Sequence, residues 1–234
     1  MRLDKYLAEA AQCTRSESRQ MIRAGRVSIN GAACRRPEQQ VSEMDTIRLD
    51  GQGKPRQAFV YIMLNKPAGV VSASSDRREV TVVDLVRSAY PRRELFPAGR
   101  LDKTSTGFVL LTDDGGFAHD ILAPKRHVPK TYRVTLDTPL TREMADGFAA
   151  GVTLMDKVRL APAEVAPLSD DGRTVRVVLR QGVYHQIKRM FGVYGAGVDA
   201  LHREAIGPVA LDETLAPGAW RELTEQEVAA IAGR

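Results

Sequence analysis

The chain lacks the features that mark secreted or membrane-spanning proteins. Its two cysteines, Cys13 and Cys34, form neither a disulfide framework nor a Cys-x-x-Cys pair. No apolar run approaches the roughly 20 residues that a membrane span requires. The N-terminal segment from Met1 to Lys5 is charged and has no apolar signal core. We therefore expect a cytoplasmic protein that does not associate with a membrane.

The usual sequence signatures of a cofactor are also missing. There is no glycine-rich phosphate loop. The four histidines do not have the spacing of metal ligands: His119, His127, His185 and His202. We expect chemistry that needs neither a metal nor a small-molecule cofactor. The length of 234 residues suits one domain of ordinary size with a smaller companion, and a hydrophobic fraction of 43% is enough for a buried core.

The positive charge of the chain is concentrated at one end. Residues 1–58 carry 11 Lys and Arg against 7 Asp and Glu, whereas residues 59–234 carry 23 against 22. Most of the net charge of +5 therefore lies in the first quarter of the chain. This distribution predicts a polyanion-binding module attached to a nearly neutral body.

The first 50 residues have the pattern of a small α and β unit. Apolar residues at helical spacing predict a first helix near Leu3 to Ala10, and a second is expected from Ser16, as N-cap, to Ala24. A strand at Val27 to Ile29 enters Asn30-Gly31, which is a strong tight-turn signal. Another short strand is expected over residues 46–49.

Residues 51–58 are polar and rich in turn formers, which predicts a linker to a second domain over residues 59–234. Strands alternate with short helices in this second part, which favours an α+β fold with a mixed, mostly antiparallel sheet. Strands are predicted over 59–64, 108–111, 131–136 and 174–179, and helices over 82–89, 117–122, 142–150, 185–193 and 225–232.

Gly99-Arg100-Leu101-Asp102 is the segment most suggestive of chemistry. Asp102 lies where an extended segment meets a turn, just before the apolar strand 108–111. Arg100 could keep this carboxylate ionised, which suits a nucleophile or a base better than an acid. A simple surface ion pair is the alternative interpretation.

Four strings together resemble the RNA pseudouridine synthases of the RsuA type. The catalytic motif of that family is similar to Gly99-Arg100-Leu101-Asp102, and its opening strand and turn are similar to residues 63–69. Lys130-Thr131-Tyr132 resembles the strand with the active-site tyrosine, and residues 184–190 resemble the helix with the basic residue. The first 50 residues resemble an S4 RNA-binding domain, so the resemblance covers nearly the whole chain.

The resemblance implies isomerisation of a uridine to pseudouridine, with the target base flipped out of its stack. It assigns Asp102 as the essential carboxylate, attacking C1′ or removing the C2′ proton, and Tyr132 as a stacking residue close to the proton that leaves C5. Lys188 is expected to pair with Asp102, with Arg100 as an alternative partner. The alternative for Tyr132 is a plain core role.

RNA contacts are expected from both parts of the chain. In the second part, Leu201 would pack under the base, with a plain core role as the alternative. His185 and Gln186 would bind RNA or fix their helix. The other expected RNA contacts are basic residues: Lys130, Arg189 and Arg203, and in the S4 unit Arg15, Arg19, Arg23 and Arg26. A solvated charged helix is the alternative for that S4 face.

The expected partner is rRNA. The S4 unit at the start, and an end without a basic tail soon after Glu225, favour 16S rRNA within a partly assembled small ribosomal subunit, with uridine 516 as the family precedent. A uridine of 23S rRNA is the alternative substrate. A third possibility is a non-catalytic S4-containing ribosome-assembly factor.

Overall fold

The computed structural model of the protein describes residues 1–11, 13–42, 44–53, 59–123 and 128–233. The chain divides into two compact units, residues 1–59 and residues 60–234. Most of the predicted linker, residues 54–58, and His127 lie outside the described residues. No helix in the described ranges is long and apolar enough to span a membrane.

The first unit packs two helices against a small antiparallel sheet. The strand order is β2-β1-β3-β4, and the sheet shares a core with both helices that includes Leu3, Leu7 and Ile22. The elements are α1 (Leu3–Ala10), α2 (Arg15–Arg23), β1 (Val27–Ile29), β2 (Ala32–Cys34), β3 (Ile47–Leu49) and β4 (Gln52–Gly53). Because β4 pairs with β3, the start of the predicted linker belongs to this sheet.

Local signals explain where these elements begin and turn. Helix α2 starts earlier than predicted, because Thr14 rather than Ser16 is the N-cap and forms a capping box with Glu17. The hairpin between β1 and β2 turns at Asn30-Gly31, as predicted, with positive φ angles of 51° and 88°. Asparagine and glycine tolerate this left-handed backbone better than other residues do.

The second unit is built on a mixed sheet with helices on both faces. In the described residues the sheet has nine strands, and its main path runs β13-β5-β7-β11-β8-β10-β9. Its elements are β5 (Tyr61–Lys66), β6 (Phe96–Pro97), β7 (Thr106–Thr112), α3 (Gly115–Leu122), β8 (Lys130–Leu136), α4 (Arg142–Ala150), β9 (Glu164–Pro167), β10 (Thr174–Leu179), α5 (Gln186–Gly192), β11 (Val198–Ile206), β12 (Val209–Ala210), β13 (Trp220–Glu222) and α6 (Glu225–Ala232).

The pairing pattern confirms the predicted α+β class. Strands β7 and β11 run parallel, and the other pairs among the described strands are antiparallel. Gly107 lies at the parallel contact with a φ of 99°, and a Cβ there would be 2.4 Å from the carbonyl oxygen of Arg203. Only glycine allows β7 and β11 to approach this closely.

Alternation along the central strands separates two hydrophobic layers. Val109 of β7 faces one layer with Phe148 of α4 and Phe191 of α5, whereas Phe108 faces the other with Ile121 of α3 and Ile231 of α6.

The helix predicted over residues 82–89 is wrong. Successive turns with hydrogen bonds from residue i+3 to residue i occupy this segment, beginning with a Thr81 hydroxyl bonded to Asp84.

Candidate active site

The loop between β6 and β7 presents the carboxylate of Asp102, whose side chain is 30% exposed. A bond of 3.1 Å from the Ser105 N–H to the Asp102 carbonyl closes the turn. The Ser72 hydroxyl holds the neighbouring residue twice, since it donates to the Leu101 carbonyl at 2.9 Å and accepts from the Leu101 N–H at 3.1 Å. Leu101 is itself buried, so the backbone beside the carboxylate is fixed.

Lys66, at the end of β5, ties the same loop to the sheet. Its buried ammonium donates to the carbonyls of Pro67 (2.9 Å), Lys103 (3.2 Å) and Ser105 (2.7 Å), so three N–H donors meet three backbone acceptors. Burial lowers the pKa of Lys66 to about 8, and the nearby charge of Asp102 acts in the opposite direction. This lysine therefore holds the loop on both sides of residue 104 and brings positive charge under the carboxylate.

One face of strands β8 and β11 forms the floor of the site. Tyr132 is opposite Arg203, and Val134 is opposite Leu201, in the antiparallel register of the two strands. Because residues two apart on a strand share a face, Lys130 and Tyr132 point the same way as Leu201 and Arg203.

An open pocket of about 490 Å³ lies over this face, a volume within the usual range of ligand sites. The loop carrying Asp102 and the start of α5 form its walls. The pocket brings together most of the predicted site residues: Arg100, Asp102, Lys130, Tyr132, His185, Gln186, Lys188, Leu201 and Arg203.

The side chain in contact with the Asp102 carboxylate differs from the prediction. His185 Nε2 lies 3.2 Å from Asp102 Oδ1. The expected pair of Lys188 with Asp102 is not formed between these two described residues, since Lys188 Nζ instead bonds to the Thr104 hydroxyl at 3.3 Å. His185 directly precedes α5 and has a left-handed backbone conformation (φ 50°, ψ 34°). Its ring contacts the carboxylate, whereas Lys188 lies almost one helical turn further along the chain.

Arg100 does not pair with Asp102 either. It lines the pocket as an exposed side chain, and no hydrogen bond or ion pair to Asp102 is found within the described ranges. Gln186 is buried, and its side-chain oxygen accepts from the Val183 N–H at 3.0 Å, so it fixes the entry to α5. Arg189 lies outside the pocket lining, in an ion pair of 2.5 Å with Asp156.

Two buried cations lie in the pocket floor. The Arg203 side chain is almost fully buried; its Nε donates to the Phe108 carbonyl at 2.6 Å, and its Nη2 has no partner among the described residues. The Lys130 ammonium donates to the Val128 carbonyl at 2.9 Å. Burial, with a smaller effect from Arg203, lowers the pKa of Lys130 to about 8. Tyr132 is buried beside them, with its ring part of the pocket lining.

The predicted S4 arginines lie on or directly after α2, within the first unit. Arg15 and Arg19 both contact Asp4, at 3.5 and 3.0 Å, together with Arg2 at 3.1 Å. Burial raises the pKa of Asp4, but the bonds from Arg2 and Arg19 outweigh it and lower the pKa to about 2.

The other two S4 arginines differ in their surroundings. Arg26 forms an ion pair with Asp50, at 2.5 Å. Arg23 is exposed, and no acidic partner for it is found among the described residues. Among the four S4 arginines, carboxylates therefore position Arg15, Arg19 and Arg26, and Arg23 has no such partner among the described residues.

Lys66 and Ser72 received no role in the sequence analysis. The sequence does indicate a special role for Lys66, because a lysine at the end of an otherwise apolar strand needs partners for its charge if it is buried. Ser72 had none, since nothing in its local sequence indicates a contact with Leu101, 29 residues away.

Comparison with known proteins identifies the families that the two units match. The family model described as RNA pseudouridylate synthase matches residues 60–192, and the S4 domain model matches residues 1–47. A solved structure described as a pseudouridylate synthase superimposes with a TM-score of 0.70 at 38% identity, over 99% of both chains.

Relatives extend along almost the full length of the chain. An uncharacterised RNA pseudouridine synthase of Bacillus subtilis is 43% identical over 232 residues, which is 97% of each chain. Ribosomal small subunit pseudouridine synthase A of Escherichia coli is 39% identical over 99% of this chain and 100% of its own, and that of Vibrio vulnificus is 39% identical over 99% of each.

The fold is that of an enzyme that modifies RNA. The chain belongs to the RNA pseudouridine synthases, and its first unit is an S4 domain. It is therefore an isomerase that acts on RNA, and the predicted family is confirmed.

Proposed function

We propose that this enzyme converts one uridine of 16S rRNA to pseudouridine, within a partly assembled small ribosomal subunit. The names of the Escherichia coli and Vibrio vulnificus relatives support the small-subunit target. The reaction breaks the N-glycosidic bond, turns the uracil and joins its C5 to C1′; C5 loses a proton and the freed N1 gains one. It conserves atoms and oxidation state, so we expect it to proceed without a cofactor or metal.

The observation that carries the catalytic assignment is the position of Asp102 at a pocket with an aromatic floor. Ser72 and Lys66 fix the loop that presents the carboxylate. An ionised carboxylate serves either route open to it, attack on C1′ or removal of the C2′ proton. Uracil flipped from the RNA stack would lie against the Tyr132 ring and be supported by Leu201.

The basic residues divide between the reacting atoms and the RNA backbone. Lys130 and Arg203 are buried in the floor, where they can donate to oxygens of the flipped nucleotide. Arg100 and Lys188 lie on the pocket walls with their charges near solvent, which suits contacts with phosphates. Lys188 also donates to the Thr104 hydroxyl in the loop that carries Asp102, so a movement of that loop would move the lysine as well.

Pseudouridine mapping on 16S and 23S rRNA, in cells with and without the protein, tests this function. We expect one site to disappear from 16S rRNA, at uridine 516 if the family precedent holds. The wild-type gene should restore it and the Asp102→Asn variant should not. Loss of a 23S site would keep the chemistry and overturn the choice of RNA. No lost site, with an active Asp102→Asn protein, would favour the assembly-factor alternative.

The S4 arginines predict a measurable salt dependence. If about four phosphates are neutralised, the logarithm of affinity falls with the logarithm of salt concentration with a slope of about −3. Arg23 is exposed on α2, so Arg23→Gln should make the slope shallower by about 0.7. The measurement is RNA binding by the full chain over a range of salt concentrations.

Arg142→Gln is the matched control for this measurement. Arg142 lies on α4, and its side chain is 94% exposed. The Arg142→Gln substitution should leave the slope of log affinity against log salt concentration unchanged. Equal slopes for Arg23→Gln and wild type would remove Arg23 from the RNA interface.

A further inference from the structure

Tyr184 and His185 form a two-ring stack at the opening of the pocket. Their ring centroids are 3.8 Å apart and the planes differ by 16°. His185 is the inner ring, in contact with Asp102 at 3.2 Å. Tyr184 is the outer ring and is 69% exposed, although it also lines the pocket. A large aromatic side chain this exposed beside a functional pocket is a candidate contact surface.

The contacts that Tyr184 makes with the described residues do not explain why so large a ring is exposed. In the described part of the chain, the only aromatic ring packed on Tyr184 is His185, and the Tyr184 hydroxyl has no hydrogen-bond partner. The ring is nonetheless fixed in place from beneath. His185 is held by Asp102, and the Tyr184 carbonyl accepts from Arg189 Nη1 at 3.4 Å. One face of a positioned aromatic ring is therefore turned away from the protein.

The backbone adds to this positioning. His185 adopts a positive φ of 50°, a conformation that is strained for a residue with a Cβ and that concentrates at functional sites. It places His185 on Asp102 and Tyr184 over His185, directly before α5 begins. An aromatic ring ordered in advance loses little conformational entropy when a flat ligand stacks on it.

The charges around this stack indicate the class of ligand. Basic side chains outnumber the single carboxylate in the pocket lining: Arg100, Lys130, Arg180, Lys188 and Arg203 against Asp102. Exposed aromatic rings within a positive surface are the usual means of holding unpaired bases of a nucleic acid. A peptide or lipid surface would call for a wider apolar area than one tyrosine offers.

We propose that Tyr184 is a stacking platform for a second nucleobase, one that flanks the uridine being isomerised. This inference rests on the proposed function, because it takes the RNA substrate as given. The target uracil occupies the pocket against Tyr132, and the flanking base packs on the outer face of Tyr184. The platform keeps the RNA strand from closing back over the pocket while the base is flipped out.

The first test places a fluorescent reporter at the platform. Tyr184→Trp, in a Trp220→Phe background that removes the single native tryptophan, puts one indole at this position. The probes are an oligouridylate and an abasic oligonucleotide of the same length, which carries the same phosphates without bases. We expect the oligouridylate to quench the indole emission and the abasic probe to leave it unchanged. Equal responses to the two probes, or no response to either, would overturn the platform.

The second test separates stacking from a structural role. Tyr184→Leu should raise KM for the RNA substrate about tenfold, since one base stack has an effect of this order, and the change should fall mainly on KM. Tyr184→Phe, which keeps the ring, should restore KM to within about twofold of wild type. A wild-type KM in Tyr184→Leu, or a loss confined to kcat, would contradict the proposal.

These results can be distinguished from a failure of the proposed function. The quenching measurement needs no turnover, so it can succeed or fail whether or not the enzyme modifies 16S rRNA. If wild type forms pseudouridine and Tyr184→Leu matches it in KM, the platform is wrong and the proposed function stands. If wild type forms none while base-dependent quenching persists, the substrate assignment is wrong and the platform stands.

Discussion

The Asp102→Asn variant is expected to form no detectable pseudouridine while binding RNA within a few-fold of wild type. Asparagine has nearly the size and shape of aspartate, so the loop held by Ser72 and Lys66 should keep its geometry. The amide carries no negative charge and is neither a nucleophile nor a base, so both routes open to the carboxylate are lost. The measurement is release of tritium from C5 of labelled uridine in an rRNA substrate, beside equilibrium binding of the same RNA.

The matched control is Asp146→Asn, which removes the same charge from the outer face of α4. The Asp146 side chain is 74% exposed and its only described ion pair is with Arg142, so activity should be unchanged. Measurable turnover by Asp102→Asn would show that the catalytic assignment is wrong. A loss of RNA binding equal to the loss of turnover would instead make Asp102 a binding residue.

Short-range signals in the sequence predicted much of the fold. The Asn30-Gly31 turn, the helix over Arg142–Ala150 and the strand over Thr174–Leu179 depend on local patterns that tertiary contacts reinforce. The motif around Asp102 was predicted to lie where an extended segment meets a turn, and in the structure it is in the loop before β7 and lines the pocket.

The pairing inside the site could not be predicted from the sequence. A string such as His185 to Lys188 places several polar groups within one helical turn, and sequence spacing alone does not decide which reaches the carboxylate. In the structure it is His185, at a positive φ directly before α5, that lies against the carboxylate. The turns at residues 82–89 are a similar case. The apolar spacing matched a helix, and Thr81 and Asp84 form the reciprocal bonds of a capping box, yet most of the backbone bonds that follow run from residue i+3 to residue i.

Buried cations were the least predictable feature. Lysine and arginine are normally exposed, so Lys66, Lys130 and Arg203 would all be assigned to the surface on composition alone. Each is buried because backbone carbonyls on neighbouring strands and loops accept its N–H groups. For Lys66 and Arg203 an acceptor is distant in sequence, 39 positions away at Ser105 and 95 positions away at Phe108, and only the fold brings it close. Lys130 instead donates to Val128, two positions away.

Lys66→Met tests whether one of these buried cations supports catalysis without touching the substrate. Methionine fills a similar volume but cannot donate to the carbonyls of Lys103 and Ser105, which would be left without this partner. The lost bonds exceed the desolvation that methionine avoids, so we expect the free energy of unfolding to fall by about 2 kcal/mol. For a chain of this size that corresponds to a decrease in Tm of roughly 6 °C, measured by thermal unfolding.

Activity should fall further than stability explains. Without the clamp the loop that carries Asp102 is free to shift, and a displacement of about 1 Å at a catalytic group can cost on the order of 100-fold in rate. We therefore expect kcat to fall about 100-fold at a temperature where the variant is fully folded, with the RNA affinity largely retained. The matched control is Lys103→Met, which removes an exposed lysine paired with Glu79 and should change the free energy of unfolding by less than about 1 kcal/mol. If Lys66→Met lost stability but kept wild-type kcat, the bonds from Ser72 to Leu101 would be sufficient to position Asp102, and Lys66 would serve the fold alone.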